Sequence, residues 1–206
     1  RQRGIPVTVF RPSLIMGHTR TGATQSTDYL LVAFRGYLPM GILPDYPRIF
    51  DTVPVDYVAA AVVHISLQNT AIGGFYHLFN PEPVSLRTFC GWLTDYGYQF
   101  DIVPFEEGRR RAIEVGPGHP LYPIVPLIRD AEAEPHRALD PDHMDELAPS
   151  EECAQTLRLL KGSGISCPPA NRRDAFTILD YLVRTGFLPR PEDVVREPAP
   201  TRMETR

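Results

Sequence analysis

The stretch VTVFRPSLIMG, Val7 to Gly17, decides the fold that the sequence predicts. It overlaps a β-branched and apolar run, IPVTVF from Ile5 to Phe10, that does not alternate with polar residues. Such a run is typical of a strand that is covered on both faces in a parallel sheet. Ligands of open α/β sheets bind beyond the carboxyl ends of the strands. We therefore expect Arg11 to Ile15 to lie at the lip of a cleft.

The residues on either side of this stretch predict the first loop and the first helix. Arg1, Arg3 and Gly4 resemble the last turn of a helix, so we expect the chain to begin where a helix ends. Residues 17–27, rich in Gly, Ser and Thr, predict a loop, and residues 36–52 contain too many prolines for regular structure. A helix is predicted over residues 28–36, with one face formed by Tyr29, Leu30, Ala33 and Phe34.

The next segments predict two strands and two capped helices. A short strand over residues 53–55 precedes Asp56, which we interpret as the N-cap of an alanine-rich helix. Residues 75–79 (FYHLF) predict a strand. Ser85 predicts the cap of a helix with apolar positions at helical spacing, namely Leu86, Phe89, Leu93 and Tyr96. A further strand with an exposed face is indicated by the alternation of Tyr98, Phe100 and Ile102.

From Gly108 onward the pattern changes to helices and proline-broken loops, with helices that we expect to open at Ser150 and Asn171. The fold class that follows is α/β, namely the edge of a Rossmann-type parallel sheet plus a mainly helical C-terminal substrate-binding subdomain. We predict divisions at residues 1–107, 108–188 and 189–206. The last of these is a tail, because its prolines and charges leave little to bury.

Composition excludes several classes of partner. The chain has 206 residues and a net charge of -4, which gives no basic footprint for nucleic acid or for an anionic membrane. No apolar stretch approaches the ~20 residues that a membrane-spanning helix requires, and no signal peptide opens the chain. Three cysteines without a CxxC pair favour a reduced compartment, so we expect a cytoplasmic protein.

The chain lacks the motifs of a complete dehydrogenase. No GxGxxG or TGxxGxxG fingerprint is present. Lys161 is the only lysine and Leu157 lies four residues before it, so a Tyr-x-x-x-Lys pair is excluded. We therefore expect this chain alone to be inactive. His136 and His143 lie among aspartates, but charged loops of this kind are usually solvated, and no metal site is predicted there.

Three segments resemble, in the right order, the extended short-chain dehydrogenase/reductase family. They are VTVFRPSLIMG, DTVPVDYVAAAVVHIS at residues 51–66 and GGFYHLFNPEPVSLRTFCGWLTDYGYQF at residues 73–100. Four later matches, HTRTGATQSTDYLL, GILPDYP, ISCPP and YLVRTGFLP, narrow the resemblance to the thioester reductase domains that end nonribosomal peptide and polyketide synthases, and to aminoadipate-semialdehyde reductases. One departure is His18, where relatives often place a carboxylate.

This resemblance implies an NAD(P)H-dependent reductase that releases an acyl or peptidyl thioester from the phosphopantetheine arm of a carrier protein, as an aldehyde or alcohol. The cofactor, NADPH or NADH, would be bound mostly by a missing N-terminal half that also carries the catalytic Tyr, Lys and hydroxyl, so no catalytic residue is assigned here. The resemblance places the nicotinamide beside Pro12, Ser13, Leu14 and Ile15. We interpret the following loop as lining the channel for the arm, through Gly17, Thr19, Arg20, Thr21 and Gly22.

Other interpretations of the same residues stay open. Residues 108–186 are expected to form a lid over an apolar pocket, whereas Phe176 and Tyr181 are expected in the core, because helical spacing chiefly reports a buried face. Some relatives cyclise their product by a Dieckmann condensation without redox chemistry. A third alternative is a docking subdomain for substrate or carrier protein without activity of its own.

Overall fold

The structure is a computed structural model that describes residues 5–45, 49–133 and 153–196. The described strands are β1 Val9–Pro12, β2 Leu14–Met16, β3 Ile42–Asp45, β4 Ile49–Phe50, β5 Thr52–Pro54, β6 Phe75–Leu78, β7 Val84–Ser85 and β8 Asp101–Pro104. The described α-helices are α1 Tyr29–Met40, α2 Val55–Ser66, α3 Leu86–Tyr96, α4 Phe105–Ile113, α5 Val125–Ala133, α6 Ala154–Leu160 and α7 Arg172–Arg184. Short 3₁₀ turns lie at Asn69–Ala71, Tyr122–Ile124 and Pro191–Asp193.

The strands of the described residues form four two-stranded ladders. The pairs β1–β6, β2–β5 and β3–β8 are parallel, and β4–β7 is antiparallel. Parallel pairs need a crossover connection, and helices provide most of these here. The predicted α/β class is therefore confirmed.

The first strand lies further along the chain than the sequence predicts. We expect one strand over residues 5–10, but the structure has β1 and β2 in succession, with Ser13 between them. The expectation that both faces are covered is also wrong for the start of the run, since the exposed fractions of Ile5 and Val7 are 61% and 40%. The physical reason is that both residues precede β1, which begins at Val9, so they lie outside the paired strand.

The first helix is longer than predicted. We expect it to end at Gly36, but α1 continues to Met40 and ends at Gly41, which has the left-handed φ of 64°. Gly36 instead allows close packing, because a Cβ there would lie 2.3 Å from Leu121 Cγ. The prediction that residues 36–52 lack regular structure is likewise wrong, since they contain the end of α1 together with β3 and β4. Asp28 caps the helix by accepting a hydrogen bond from Leu30 N–H at 2.9 Å.

Two other predictions are corrected. Asp56 is not the N-cap of α2: Pro54 holds that position, and the Asp56 carboxylate binds elsewhere. Tyr98 does not stand on an exposed strand, because its side chain is fully buried and its hydroxyl donates to Pro189 O at 2.8 Å. The strand that the alternation predicts there begins later, at Asp101.

The helix caps that the sequence indicates at Ser85 and Asn171 are confirmed. Ser85 Oγ accepts from Thr88 N–H at 3.0 Å, and Asn171 Oδ1 accepts from Asp174 N–H at 3.0 Å. Both bonds satisfy backbone donors that have no partner within the helix. The bond at Asn171 fixes where α7 begins, and the start of α7 forms one wall of the cleft described below.

Two clusters of buried side chains hold these elements together. Core one joins α1, α3 and α7 with the Tyr122–Ile124 turn, and its members include Leu38, Leu93 and Leu182. Core two joins α2, β5, β6 and α6, and its members include Tyr76 and Leu78. Phe176 and Tyr181 are partly buried against core one, as their helical spacing indicates.

The C-terminal half contains a further difference from the sequence expectations. The helical region begins at Phe105 and not after Gly108, and the first residues of the expected tail are packed, because Arg196 donates to Gln99 O at 3.2 Å. The division into three parts stays a prediction. The expected helix end at residues 1–4, the opening at Ser150 and the charged loop with His136 and His143 lie outside the described residues. Within the described residues, every helix is too short or too polar to cross a bilayer.

Candidate active-site cleft

An open cleft lies at the carboxyl ends of the parallel strands β2, β5 and β6. Its floor is formed by the ends of β2 and β5, and its sides by α3, by the segment that precedes α7 and by the start of α7 itself. Such a position matches the place where open α/β sheets bind ligands. The side chains that give the cleft its mainly apolar character are Met16, Val84, Phe89, Trp92, Pro169 and Ile178.

Four of the segments that carry the family resemblance meet at the base of this cleft. Ser13 donates its backbone N–H to Leu78 O at 3.0 Å and its hydroxyl to Asp51 O at 2.8 Å. Asn80 N–H donates to Asp51 Oδ1 at 2.9 Å, and its side-chain amide donates to Thr52 O at 2.9 Å and to Pro168 O at 3.4 Å. We call this set, which consists of Ser13, Asp51, Asn80 and Pro168, the polar knot.

Asn80 is the buried member of the polar knot, whereas Ser13, Asp51 and Pro168 are partly buried. The Asn80 side chain is 1% exposed, and its remaining oxygen accepts from Glu82 N–H at 2.9 Å. A buried amide that satisfies its donors and its acceptor in this way is favourable, whereas one left unpaired is costly. Burial raises the pKa of Asp51, opposed by its hydrogen bonds from Asn80 and Ser13. The knot therefore joins segments that lie far apart in the sequence.

The residues predicted to meet the nicotinamide divide into two groups. Pro12 and Ile15 present exposed apolar surface at the strand ends, with Ile15 39% exposed. Ser13 offers neither its N–H nor its hydroxyl, because the polar knot uses both. Leu14 is partly buried and packs against core one. None of the four is among the residues that line the cleft, and their contact with a nicotinamide stays a prediction.

The loop predicted to line the pantetheine channel is a compact turn that packs onto α7. Gly22 N–H donates to His18 O at 2.8 Å, and His18 N–H donates to Ala23 O at 3.0 Å. Gly22 has a φ of 70°, and a Cβ on it would lie 2.1 Å from Thr177 O. A Cβ on Gly17 would lie 2.7 Å from Ile178 Cγ1, which is also too close. Gly17 and Gly22 therefore serve close packing and are buried, while Arg20 and Thr21 are exposed.

Thr19 connects this turn to the neighbouring helix. Its backbone N–H donates to Asp56 Oδ1 at 3.1 Å, and its hydroxyl donates to Asp56 Oδ2 at 2.7 Å. The parallel register explains the meeting, because Met16 lies opposite Pro54 and the chain leaves both strands at the same edge. Burial alone would raise the pKa of Asp56, but the bonds from Thr19 outweigh it and hold the pKa below its ordinary value. Thr19 and Gly17 line the cleft.

The lining residues can orient and enclose a ligand more readily than they can react with it. Cys167 lies just before the lining segment, and burial raises the pKa of its thiol to about 12, which leaves little reactive thiolate. No three His, Cys, Asp or Glu side chains in the part of the chain that the structure describes are grouped to hold a metal ion. Of the expected lid, residues 168–171 and the start of α7 line the cleft, whereas α4 and α5 are not among its lining elements.

Several residues of the cleft are missed by sequence reasoning. The sequence indicates Asn80 only as part of an Asn-Pro turn, although its place directly after a strand end is a usable signal. Trp92 lines the cleft, but nothing in its spacing marks it as a lining residue. The contact of Asp56 with Thr19 has no signal in the spacing either, because it depends on the register between β2 and β5.

Comparisons with known proteins bear on this site. The family model NAD_binding_4, described as male sterility protein, matches residues 1–62, which include β1, β2 and the start of α2. The isonitrile lipopeptide synthase of Streptomyces coeruleorubidus is 31% identical over 199 residues, which cover 96% of this chain and 13% of that protein. The L-2-aminoadipate reductase of Saccharomyces cerevisiae is 24% identical over 207 residues, which cover 97% of this chain and 15% of the relative.

A solved structure agrees with this likeness in fold. The terminal R domain from the myxalamid PKS-NRPS biosynthetic pathway superposes with a TM-score of 0.77 at 29% identity, covering 92% of this chain and 47% of that one. The chain thus spans about half of the solved domain and a small part of the curated relatives. The resemblance to the terminal reductase domains of nonribosomal peptide and polyketide synthases, predicted from the sequence motifs, is confirmed by these likenesses.

Proposed function

We propose that this chain is the C-terminal, substrate-binding part of an NAD(P)H-dependent thioester reductase, which releases an acyl or peptidyl group from a carrier protein as an aldehyde or alcohol. The observation that carries the proposal is the cleft at the carboxyl ends of β2, β5 and β6, where four resemblance segments converge on the polar knot. The relatives that this chain resembles include a lipopeptide synthase and an aminoadipate reductase.

The chain supplies orientation in this reaction. NAD(P)H, when bound, supplies the hydride that reduces the thioester carbonyl. Pro12 and Ile15 would flank its nicotinamide ring, since their apolar surfaces are exposed at the strand ends. Trp92, Phe89 and Ile178 would exclude water from the acyl group. The exposed Arg20 and Thr21 stand where a phosphopantetheine arm would enter.

A second half of the protein is part of the proposal. Among the described strands β1 pairs only with β6, so its other edge is open, and exposed apolar side chains, Phe75 at 43% and Ile72 at 52%, lie on the β6 side of this ladder. An open strand edge is normally paired or covered. We propose that a nucleotide-binding half with the catalytic Tyr and Lys covers it, and that a carrier protein delivers the substrate.

The test uses the natural protein that contains this chain, an acyl thioester of pantetheine and NADPH. Loss of NADPH absorbance with formation of an aldehyde or alcohol is expected. A cyclic product without NADPH oxidation would contradict the reductase proposal and identify a Dieckmann-type release. Trp92, the sole tryptophan of this chain, reports on the cleft directly, and NADPH that leaves its fluorescence unchanged would favour a docking subdomain.

A matched pair of variants tests the part played by the strand ends. Ile15→Glu places a carboxylate on the proposed nicotinamide surface, whereas Ile102→Glu makes the same change on β8, where the side chain is 43% exposed. We expect Ile15→Glu to raise KM for NADPH about tenfold, because the new carboxylate would lose hydration against the uncharged dihydronicotinamide ring. We expect Ile102→Glu to leave this KM unchanged. Equal effects of the two variants would contradict the assignment.

A further inference from the structure

The Gly17–Gly22 turn needs an external anchor to keep its position at the cleft. Its internal bonds, from Gly22 N–H to His18 O and from His18 N–H to Ala23 O, close the turn but do not attach it to the rest of the protein. On one side it packs onto α7 through the Cα atoms of Gly17 and Gly22, a contact that has no directional bond. On the other side lies the first turn of α2.

Asp56 provides that anchor through two hydrogen bonds. Both oxygens of its carboxylate accept from Thr19, one from the backbone N–H and one from the hydroxyl, so that the position and the rotation of Thr19 are fixed together. Thr19 itself lines the cleft. Because Pro54 and not Asp56 holds the N-cap position of α2, the bonds to Thr19 are the contacts by which this carboxylate reaches another element.

His18 does not replace this anchor. Its Nδ1 lies 3.8 Å from Asp56 Oδ2, but the same nitrogen accepts a hydrogen bond from Arg20 N–H at 3.1 Å. At 3.8 Å the contact is longer than the two bonds from Thr19, at 3.1 and 2.7 Å, so Thr19 makes the main attachment.

We propose that Asp56 is a positioning residue that holds the Gly17–Gly22 turn as a rigid wall of the cleft, through Thr19, for the thioester substrate. The identity of the substrate in this inference rests on the proposed function. The attachment of the turn through Asp56 does not depend on that function. The residue acts on the ligand through Thr19 and does not touch the reacting atoms. Loss of the carboxylate should loosen one wall of the cleft and leave α2 and the strands intact.

Hydrogen exchange of the natural protein, read by mass spectrometry, tests the attachment without any assay of activity. In Asp56→Ala, peptides that cover residues 17–23 should exchange about tenfold faster, because two hydrogen bonds are lost, while peptides from residues 57–66 stay unchanged. Glu114→Ala, which removes a carboxylate that is 60% exposed on its side chain, is the matched control and should change neither region. Unchanged exchange of the turn, or equal acceleration everywhere, would overturn the proposal.

A second set of variants separates positioning from a general loss of stability. Thr19→Val removes the hydroxyl bond and should raise KM for the acyl thioester about tenfold with kcat within about twofold, as expected for a loss of binding geometry. Thr19→Ser keeps both donors and should restore the wild-type KM and exchange. If the wild type, Thr19→Val and Thr19→Ser all have the same KM for the acyl thioester, the proposed positioning role is contradicted. A natural protein that oxidises no NADPH would instead contradict the proposed function, and the exchange result would then decide this inference alone.

Discussion

The two hydrophobic cores differ in how far apart in the sequence their residues lie. Core one takes residues from almost the whole chain, from Met16 to Leu188, and gathers α1, α3 and α7. Core two is smaller and lies around α2 and β6, with Leu160 of α6 as its contribution from the C-terminal half. Side chains that are distant in sequence therefore share core one. The comparison shows that the helices after Gly108 are not a layer of their own but serve both cores.

The cleft lies where the two cores approach each other. Met16 and Ile178 belong to core one, whereas Val53 of core two lies between the lining residues Thr52 and Pro54. The polar knot crosses this boundary, because Asn80 joins β5 to the segment that leads into α7. A ligand in the cleft would therefore contact elements that each core holds in place, and the rigidity of its site depends on how firmly the cores are joined.

The largest effect should come from truncating one side chain in each core. Leu38 and Leu78 are both 0% exposed, in core one and core two. Leu38→Ala and Leu78→Ala should each lower the free energy of unfolding by about 2–5 kcal/mol, because each leaves a cavity. Because the polar knot joins the cores, each variant should unfold in a single transition. The unfolding curves measured by circular dichroism and by Trp92 fluorescence should therefore coincide. Two separated transitions would show that the cores unfold independently.

Features that depend on neighbouring residues can be predicted from the sequence, whereas contacts between distant segments cannot. Local signals correctly identify the caps at Ser85 and Asn171, because a capping bond involves only neighbouring residues, although the same signal wrongly assigns a cap to Asp56. The prediction of a helix end at Gly36 is wrong. A glycine lies there because Leu121, which is distant in the sequence, leaves no room for a Cβ.

The candidate site follows the same rule. The sequence predicts Arg11 to Ile15 at the lip of the cleft, from the end of an apolar run, but the cleft is lined by the two residues that follow them, Met16 and Gly17. The role of Asn80 and the partner of Asp56 depend on strand register, and a sequence without its pairing does not contain that information.

The polar knot offers the second test of the joined cores. Asn80→Ala should lower the free energy of unfolding by about 1–3 kcal/mol, because the carbonyls of Thr52 and Pro168 lose a donor in a buried place. Asn69→Ala, the same change at an exposed position, is the control and should lie within about 0.5 kcal/mol of the wild type. If the two variants unfold alike in urea, the knot does not join the cores.

A smaller effect is expected where the turn packs on α7. Gly22 and Gly164 have left-handed φ values of 70° and 75°, but a Cβ would meet Thr177 O at the first and open space at the second. Alanine at either position should lower the free energy of unfolding, because residues other than glycine adopt this left-handed backbone conformation unfavourably. Gly22→Ala should be less stable than Gly164→Ala by about 1 kcal/mol, the low end of overpacking, because a turn can shift. Thermal unfolding of both variants measures this difference, and equal melting temperatures would mean that the turn is not packed on core one.

The smallest effect is the dependence of the Asp56 anchor on pH. The pKa of Asp56 lies below its ordinary value of 3.8, so the folded chain binds its proton more weakly than the unfolded chain does. The stabilisation is therefore complete above the unfolded pKa and is lost as the pH falls through the lower folded pKa. Asp56→Asn cannot titrate, and at neutral pH it should be less stable by under about 1 kcal/mol, since the carboxylate is partly exposed.

Urea titrations of the wild type and of Asp56→Asn across a pH series measure this dependence. The difference in the free energy of unfolding should be constant between about pH 7 and pH 5 and should shrink below about pH 4. A change confined to pH values well above that window would contradict control of the turn by the Asp56 carboxylate. A difference that grows toward low pH would contradict the expected sign, because it would require the folded chain to bind the proton of Asp56 more tightly than the unfolded one.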